Sequence, residues 1–232
     1  MASEHDHCEC CGHHSNSLYQ ELICHVPYAA FSLAVGFIIL SLINFWASLS
    51  LAAPRSLHTS YLVLFHSFHY LHVMIAVTGS VITFFRFSNR LIVGVLVSII
   101  SPTFFCVLSD IMLPTLAGNL LGVPMKMHVC FFTPHDTLNV ISFMLVGFLC
   151  GLAILAHGTW LRPIAITSHF LHVLAGACAS MFYMVANGLY EWFRVMGPML
   201  FFLFLAVLLP CTMSDLVVPI FCARFNRKKD RT

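Results

Sequence analysis

The sequence predicts an all-α, polytopic membrane protein of six transmembrane helices, arranged as two inverted three-helix repeats. Three observations carry that expectation. Of 232 residues, 59% are hydrophobic and only 9% charged, and mean hydropathy is +0.91. Soluble domains carry about 25% charged residues, so this chain lacks the polar side chains to cover itself in water and takes lipid as its solvent. Six apolar runs are each long enough to cross a bilayer, which takes about 20 residues. Finally, two polar signatures recur in the same order inside the runs of each half.

The runs cover residues 27–53, 61–85, 91–117, 137–160, 164–188 and 195–221. Pro54-Arg55-Ser56 closes the first, and Arg86-Phe87-Ser88-Asn89-Arg90 separates the second from the third. The polar stretch 118–136 follows, and Glu191-Trp192-Phe193-Arg194 precedes the last run. Between the fourth and fifth only Arg162 and Pro163 interrupt the apolar sequence, so that junction is the least marked. Barrel strands are about 10 residues long and alternate in polarity; these runs do neither, and helices are expected. The chain therefore divides into a His/Cys-rich tail (1–22), a first three-helix repeat (23–118), a second (119–222) and a basic tail (223–232).

Orientation follows from the 11 Lys and Arg residues. Six spans place both termini on the side of the 86–90 and 161–163 loops. That side collects Arg86, Arg90, Arg162, Arg224, Arg227, Lys228, Lys229 and Arg231, against Arg55, Lys126 and Arg194 opposite. The positive-inside rule then puts both termini in the cytoplasm. Residues 1–20 contain no apolar core, so no cleaved leader is expected. The net charge of +2 is concentrated in the C-terminal tail, where anionic lipid is the ordinary partner. The partners this composition admits are the bilayer, a metal ion and a second copy of the chain; nothing in it suits nucleic acid. The 10 cysteines form no disulfide framework, since Cys106, Cys150, Cys178, Cys211 and Cys222 fall in or at the spans.

The repeat is the most informative feature. The second run contains His69-Tyr70-Leu71-His72-Val73 and the fifth contains His169-Phe170-Leu171-His172-Val173, with Ser80 and Ser180 at the same distance beyond. The next run of each half reads Cys106-x-x-Ser109-Asp110-x-x-x-Pro114 and Cys211-x-x-Ser214-Asp215-x-x-x-Pro219. One coincidence means little in an apolar chain; two in the same order, 38 residues (72 to 110) and 43 residues (172 to 215) apart, point to duplication. The first and fourth runs match in little beyond Gly36-Phe37 and Gly147-Phe148. An odd number of spans per copy inverts the second copy, an arrangement common in transporters.

The buried polar residues suggest the chemistry. An Asp near the centre of a membrane helix costs about 2.5–3.5 kcal/mol and needs a partner. Residues three apart share a helix face, so His69 with His72, and His169 with His172, each present two imidazoles to one point. Antiparallel neighbours bring Asp110 to the first pair and Asp215 to the second, on opposite halves of the membrane. Two His and a carboxylate is a donor set for a first-row transition metal. It does not separate zinc, nickel, copper, iron and manganese. Cys106 and Cys211, one turn before each Asp, can add thiolates, although buried Cys is usually only a small hydrophobe. The tail carries a second candidate metal-binding tract, His5, His7, Cys8, Cys10, Cys11, His13 and His14.

A divalent transition-metal transporter or channel accounts for the duplication, the paired ligands and the tail together. A membrane metalloenzyme, oxidoreductase or hydrolase, is the main alternative. Membrane hydroxylases and desaturases, however, place adjacent His-His pairs at one boundary, and here the clusters fall on opposite halves. A b-type haem protein is a further alternative: the His spacing rules out two stacked haems but admits one between the second and fifth spans. A proton-coupled carrier of an organic solute uses the His and Asp but leaves the tail unexplained.

Overall fold

A computed structural model describes residues 18–49, 54–127, 133–157 and 161–229. These are all-helical, with no strand among the described residues. The elements are α1 (Leu18–Leu49), α2 (Pro54–Phe87) and α3 (Leu91–Val107), a π turn (Leu108–Met112), α4 (Leu113–Leu120), α5 (Pro134–His157) and α6 (Leu161–Ala186). A 3-10 turn (Trp192–Val195), α7 (Met196–Thr212), a second π turn (Met213–Val217) and α8 (Val218–Lys229) complete the chain. Among the described residues, six stretches are long and apolar enough to cross a membrane: His25–Leu49, Leu57–Phe87, Leu91–Leu120, Pro134–His157, His169–Ala186 and Trp192–Phe225. The protein is a multi-pass membrane protein.

Helix boundaries overrun the apolar runs. α1 begins at Leu18, inside the stretch expected as tail, and α2 begins at Pro54, expected as a break. Hydropathy marks where lipid begins, whereas a helix continues while its backbone bonds can be made. Proline is tolerated at the first helical position because that N–H has no helical acceptor. The same applies at Pro134, where Thr133 caps α5 by accepting the Asp136 N–H at 3.3 Å. α4 and α6 end at Gly122 (φ 84) and Gly188 (φ 113), a left-handed conformation that glycine adopts without steric cost.

Burial sorts the spans. Of the central windows, 78% of the fifth span and 61% of the second are buried, against 17% of the fourth. α2 and α6 therefore form the core pair, packed lengthwise on each other. The flanking helices cross over: α1 packs on α6 and α7, and α5 packs on α2. α3 illustrates the membrane logic. Its buried face is the small-residue stripe Gly94, Ser98, Pro102 and Cys106, while Ile92, Leu96, Ile100 and Phe104 are exposed. In lipid, large apolar side chains gain nothing by turning inward, and small residues let helix backbones approach.

Both π turns contain the Ser-Asp signature and are followed by its proline. Leu113 N–H reaches back to Leu108 O, and Val218 N–H to Met213 O, a shift of one residue from α-helical bonding. Pro114 has no N–H, so the Ser109 carbonyl is left without a helical donor. The Ser180 hydroxyl supplies one from α6 at 3.0 Å. Its sequence counterpart, Ser80, is fully buried but makes no such bond.

Candidate metal centre

The π turns aim both carboxylates at the α2–α6 pair. Asp110 is fully buried. Its Oδ2 accepts from Nδ1 of His69 and of His72, each at 2.8 Å. Its Oδ1 accepts from the Ser109 hydroxyl at 2.6 Å and lies 3.0 Å from His72 Nδ1. A carboxylate removed from water costs several kcal/mol unless charge-assisted hydrogen bonds replace its hydration, and here three donors do so. Asp215 makes the equivalent close contact with His172 Nδ1. His169 Nδ1 stands 3.9 Å from the same oxygen, too far for a hydrogen bond, and its ring lies edge-on to His25 at 4.2 Å.

The two expected His-His-Asp sets meet at His72 and His172. The rings of His72 and His172 have centroids only 4.6 Å apart. Ligand atoms of His72, Cys106 and His172, all buried, lie within 4.8 Å of one another, a cluster that could hold a metal ion. Cys211 Sγ lies 3.5 Å from His72 Nε2. With the Nδ1 atoms turned to carboxylates, the Nε2 atoms are the ones left for a ligand. His172 Nε2 is buried without a hydrogen-bond partner, as are those of His69 and His169.

Close backbone approach makes room. A Cβ on Gly176 of α6 would stand 2.8 Å from His72 Cε1 and 3.1 Å from its Nε2, and one on Gly79 of α2 would stand 3.2 Å from Asp215 Oδ2. No motif marks these glycines; at the same offset from the other His-x-x-His signature stand Ala76 and Ala179. The convergence of His72 with His172 was also hidden, because no spacing rule reports contacts across the two halves.

A cavity of about 370 Å³ lies on the Lys126 side, lined by His58, His66, Lys126 and Asn187. Phe65 and Tyr183 also line it. Phe65 is fully buried and stacks on His69 with centroids 5.5 Å apart, and its ring meets Tyr183 at 5.0 Å. Phe65 thus stands between the cavity and His69, with Tyr183 packed against its ring. His135 is exposed, with Nδ1 3.8 Å from an Asp136 oxygen. His128 and the tail tract of His5, His7, Cys8, Cys10, Cys11, His13 and His14 lie outside the described residues.

No family model, curated protein or solved structure matches this chain. Its chemistry is therefore read from the site alone.

Proposed function

We propose that the chain moves a divalent transition-metal ion across a membrane, through a site shared by two inverted three-helix halves. The observation that carries this reading is the buried His72–Cys106–His172 cluster, to which spans of both halves contribute. Three features support the inverted halves: equivalent His pairs on α2 and α6, Asp-bearing π turns at matching positions, and the crossed packing of α1 and α5. A substrate ion would meet nitrogen and sulfur donors backed by carboxylates, with the cavity above Phe65 and Tyr183 as its approach from one face. Those two rings must move for the ion to pass, so the arrangement corresponds to an occluded state. The haem alternative fits less well: with the rings 4.6 Å apart and Cys211 Sγ 3.5 Å from His72 Nε2, a planar macrocycle has no room between them.

The test is uptake of zinc or cobalt into proteoliposomes carrying a metal-sensitive dye, normalised to folded protein. His72→Gln and His172→Gln should each slow uptake about tenfold at the least, since even changes behind a metal ligand cost 10–100-fold. Uptake at the wild-type rate in both variants would remove the cluster from the pathway.

Both termini are expected in the cytoplasm, on the charge distribution given above. Reporter fusions at residue 1 and residue 232 should give the same cytoplasmic signal. Opposite signals would mean an odd number of spans and would end the inverted-repeat reading.

A further inference from the structure

We infer that the metal centre is a four-donor site in which His72 and His172 bind through Nε2 and Cys106 and Cys211 through Sγ. Its ligand would be a thiophilic divalent cation that accepts tetrahedral coordination, zinc(II) above all. The inference rests on reading the chain as a metal-handling protein and specifies the cation.

The first argument is distance. Zinc bonds of about 2.0–2.1 Å to nitrogen and about 2.3 Å to sulfur, opened at the tetrahedral angle, set two such ligand atoms about 3.5 Å apart. Three of the donors, on His72, Cys106 and His172, lie within 4.8 Å of one another. Cys211 stands outside that group and reaches it through His72, with Sγ 3.5 Å from Nε2, so it must close on the other two donors when the ion binds. The second argument is the direction of the rings. A ligating His ordinarily donates its other ring N–H to a carboxylate, which fixes the tautomer and raises the basicity of the free nitrogen. Asp110 takes Nδ1 of His72 and Asp215 takes Nδ1 of His172. The third is an unmet need: His172 Nε2 is fully enclosed and has no partner.

The carboxylates themselves are then not the ligands. Asp110 oxygens are occupied by His69, His72 and Ser109, and Asp215 oxygens by His172 and Ser214. Without free oxygen donors the site has little to offer magnesium or manganese, whereas two thiolates and two imidazoles favour zinc. Each Cys stands four residues before its Asp, so one helix face delivers the ligand and the residue that orients the opposite ligand's ring.

Cobalt(II) is the probe, because thiolate ligation gives it a near-ultraviolet charge-transfer band and tetrahedral geometry gives it intense visible bands. The protein is the full-length chain carrying Cys8→Ser, Cys10→Ser and Cys11→Ser, so that the tail supplies no thiolate. We expect one cobalt per chain with both spectral features, displaced by zinc and not by magnesium. Cys106→Ser and Cys211→Ser should each lower the charge-transfer intensity by about half, and the double variant should abolish it; Cys150→Ser, at an exposed position, should leave it unchanged. Absence of cobalt binding, cobalt bound without a thiolate band, or a band insensitive to both site cysteines would each overturn the inference. The first measurement needs no substitution in the site, so a variant that fails to fold does not rescue it. If the thiolate spectrum is present while vesicles show no metal uptake, this site stands and the transport reading fails. Uptake with cobalt bound only through nitrogen and oxygen would do the reverse.

Discussion

Asp110→Asn and Asp215→Asn should each weaken metal binding by about one to two decades while the helices stay folded. A hydrogen bond to a charged group is worth about 1.5–3 kcal/mol, and about 1.4 kcal/mol corresponds to one decade in affinity. The mechanism is more specific than lost charge. The carboxylate can only accept, so it holds the proton of each imidazole on Nδ1 and leaves Nε2 with a lone pair. An asparagine amide can donate instead, which allows the proton to sit on Nε2 and blocks it as a ligand. Asp110 serves both His69 and His72, whereas Asp215 hydrogen-bonds only His172 of its pair. The loss should therefore be larger for Asp110→Asn. Zinc titration against a competing chelator, paired with thermal unfolding in the same detergent, measures both quantities. A purely structural role for the carboxylates predicts lower melting temperatures and unaltered zinc affinity.

Gly147→Val should destabilise the protein by about 3 kcal/mol or more, the upper end of the range for overpacking. A Cβ at Gly147 would overlap the backbone carbonyl of Met74 on α2, and one at Gly151 would stand 2.7 Å from Val81 Cβ and 3.1 Å from the Thr78 carbonyl. These glycines, four apart on α5, form the small-residue face by which that helix lies against α2. Backbone cannot swing aside as a side chain can, so the helices must separate. Separation would also break the hydrogen bond from Thr78 Oγ1 to the Gly147 carbonyl, now 2.9 Å. Gly197→Ala is the control, because nothing lies within 4 Å of its added carbon. Thermal unfolding should show a large loss for the first and none for the second; equal melting temperatures would mean that α5 is not held against α2 as described.

Much of this was legible in the sequence, though unevenly. The six spans are set by the number of apolar residues a bilayer requires, a one-dimensional property, and all six appear within a few residues of the expected limits. The pairing of His69 and His72 with Asp110 was also legible. It depends only on helical periodicity and on the antiparallel run of successive helices, both local rules. Helix ends were less so: Pro54 and Leu18 lie inside helices because backbone bonding does not stop where hydropathy falls. The π turns depend on what receives the carbonyl freed by bonding one residue out of register, which no local signal reports.

By itself the sequence determined that the chain carries helices long and apolar enough to span a membrane, which residues it must bury at a cost, and that the His-x-x-His and Ser-Asp signatures occur twice. The tertiary structure alone decided that His72 and His172 face each other, with Cys106 and Cys211 at hand and the carboxylates behind. The reason is physical. Span length and helical periodicity act within one helix or between neighbours in the chain, whereas the meeting of α2 with α6 depends on which small residues allow two distant backbones to close. Gly176 against the His72 ring is such a residue, and Gly79 does the same for α2 against the π turn that carries Asp215; nothing in their own sequence surroundings marks them out.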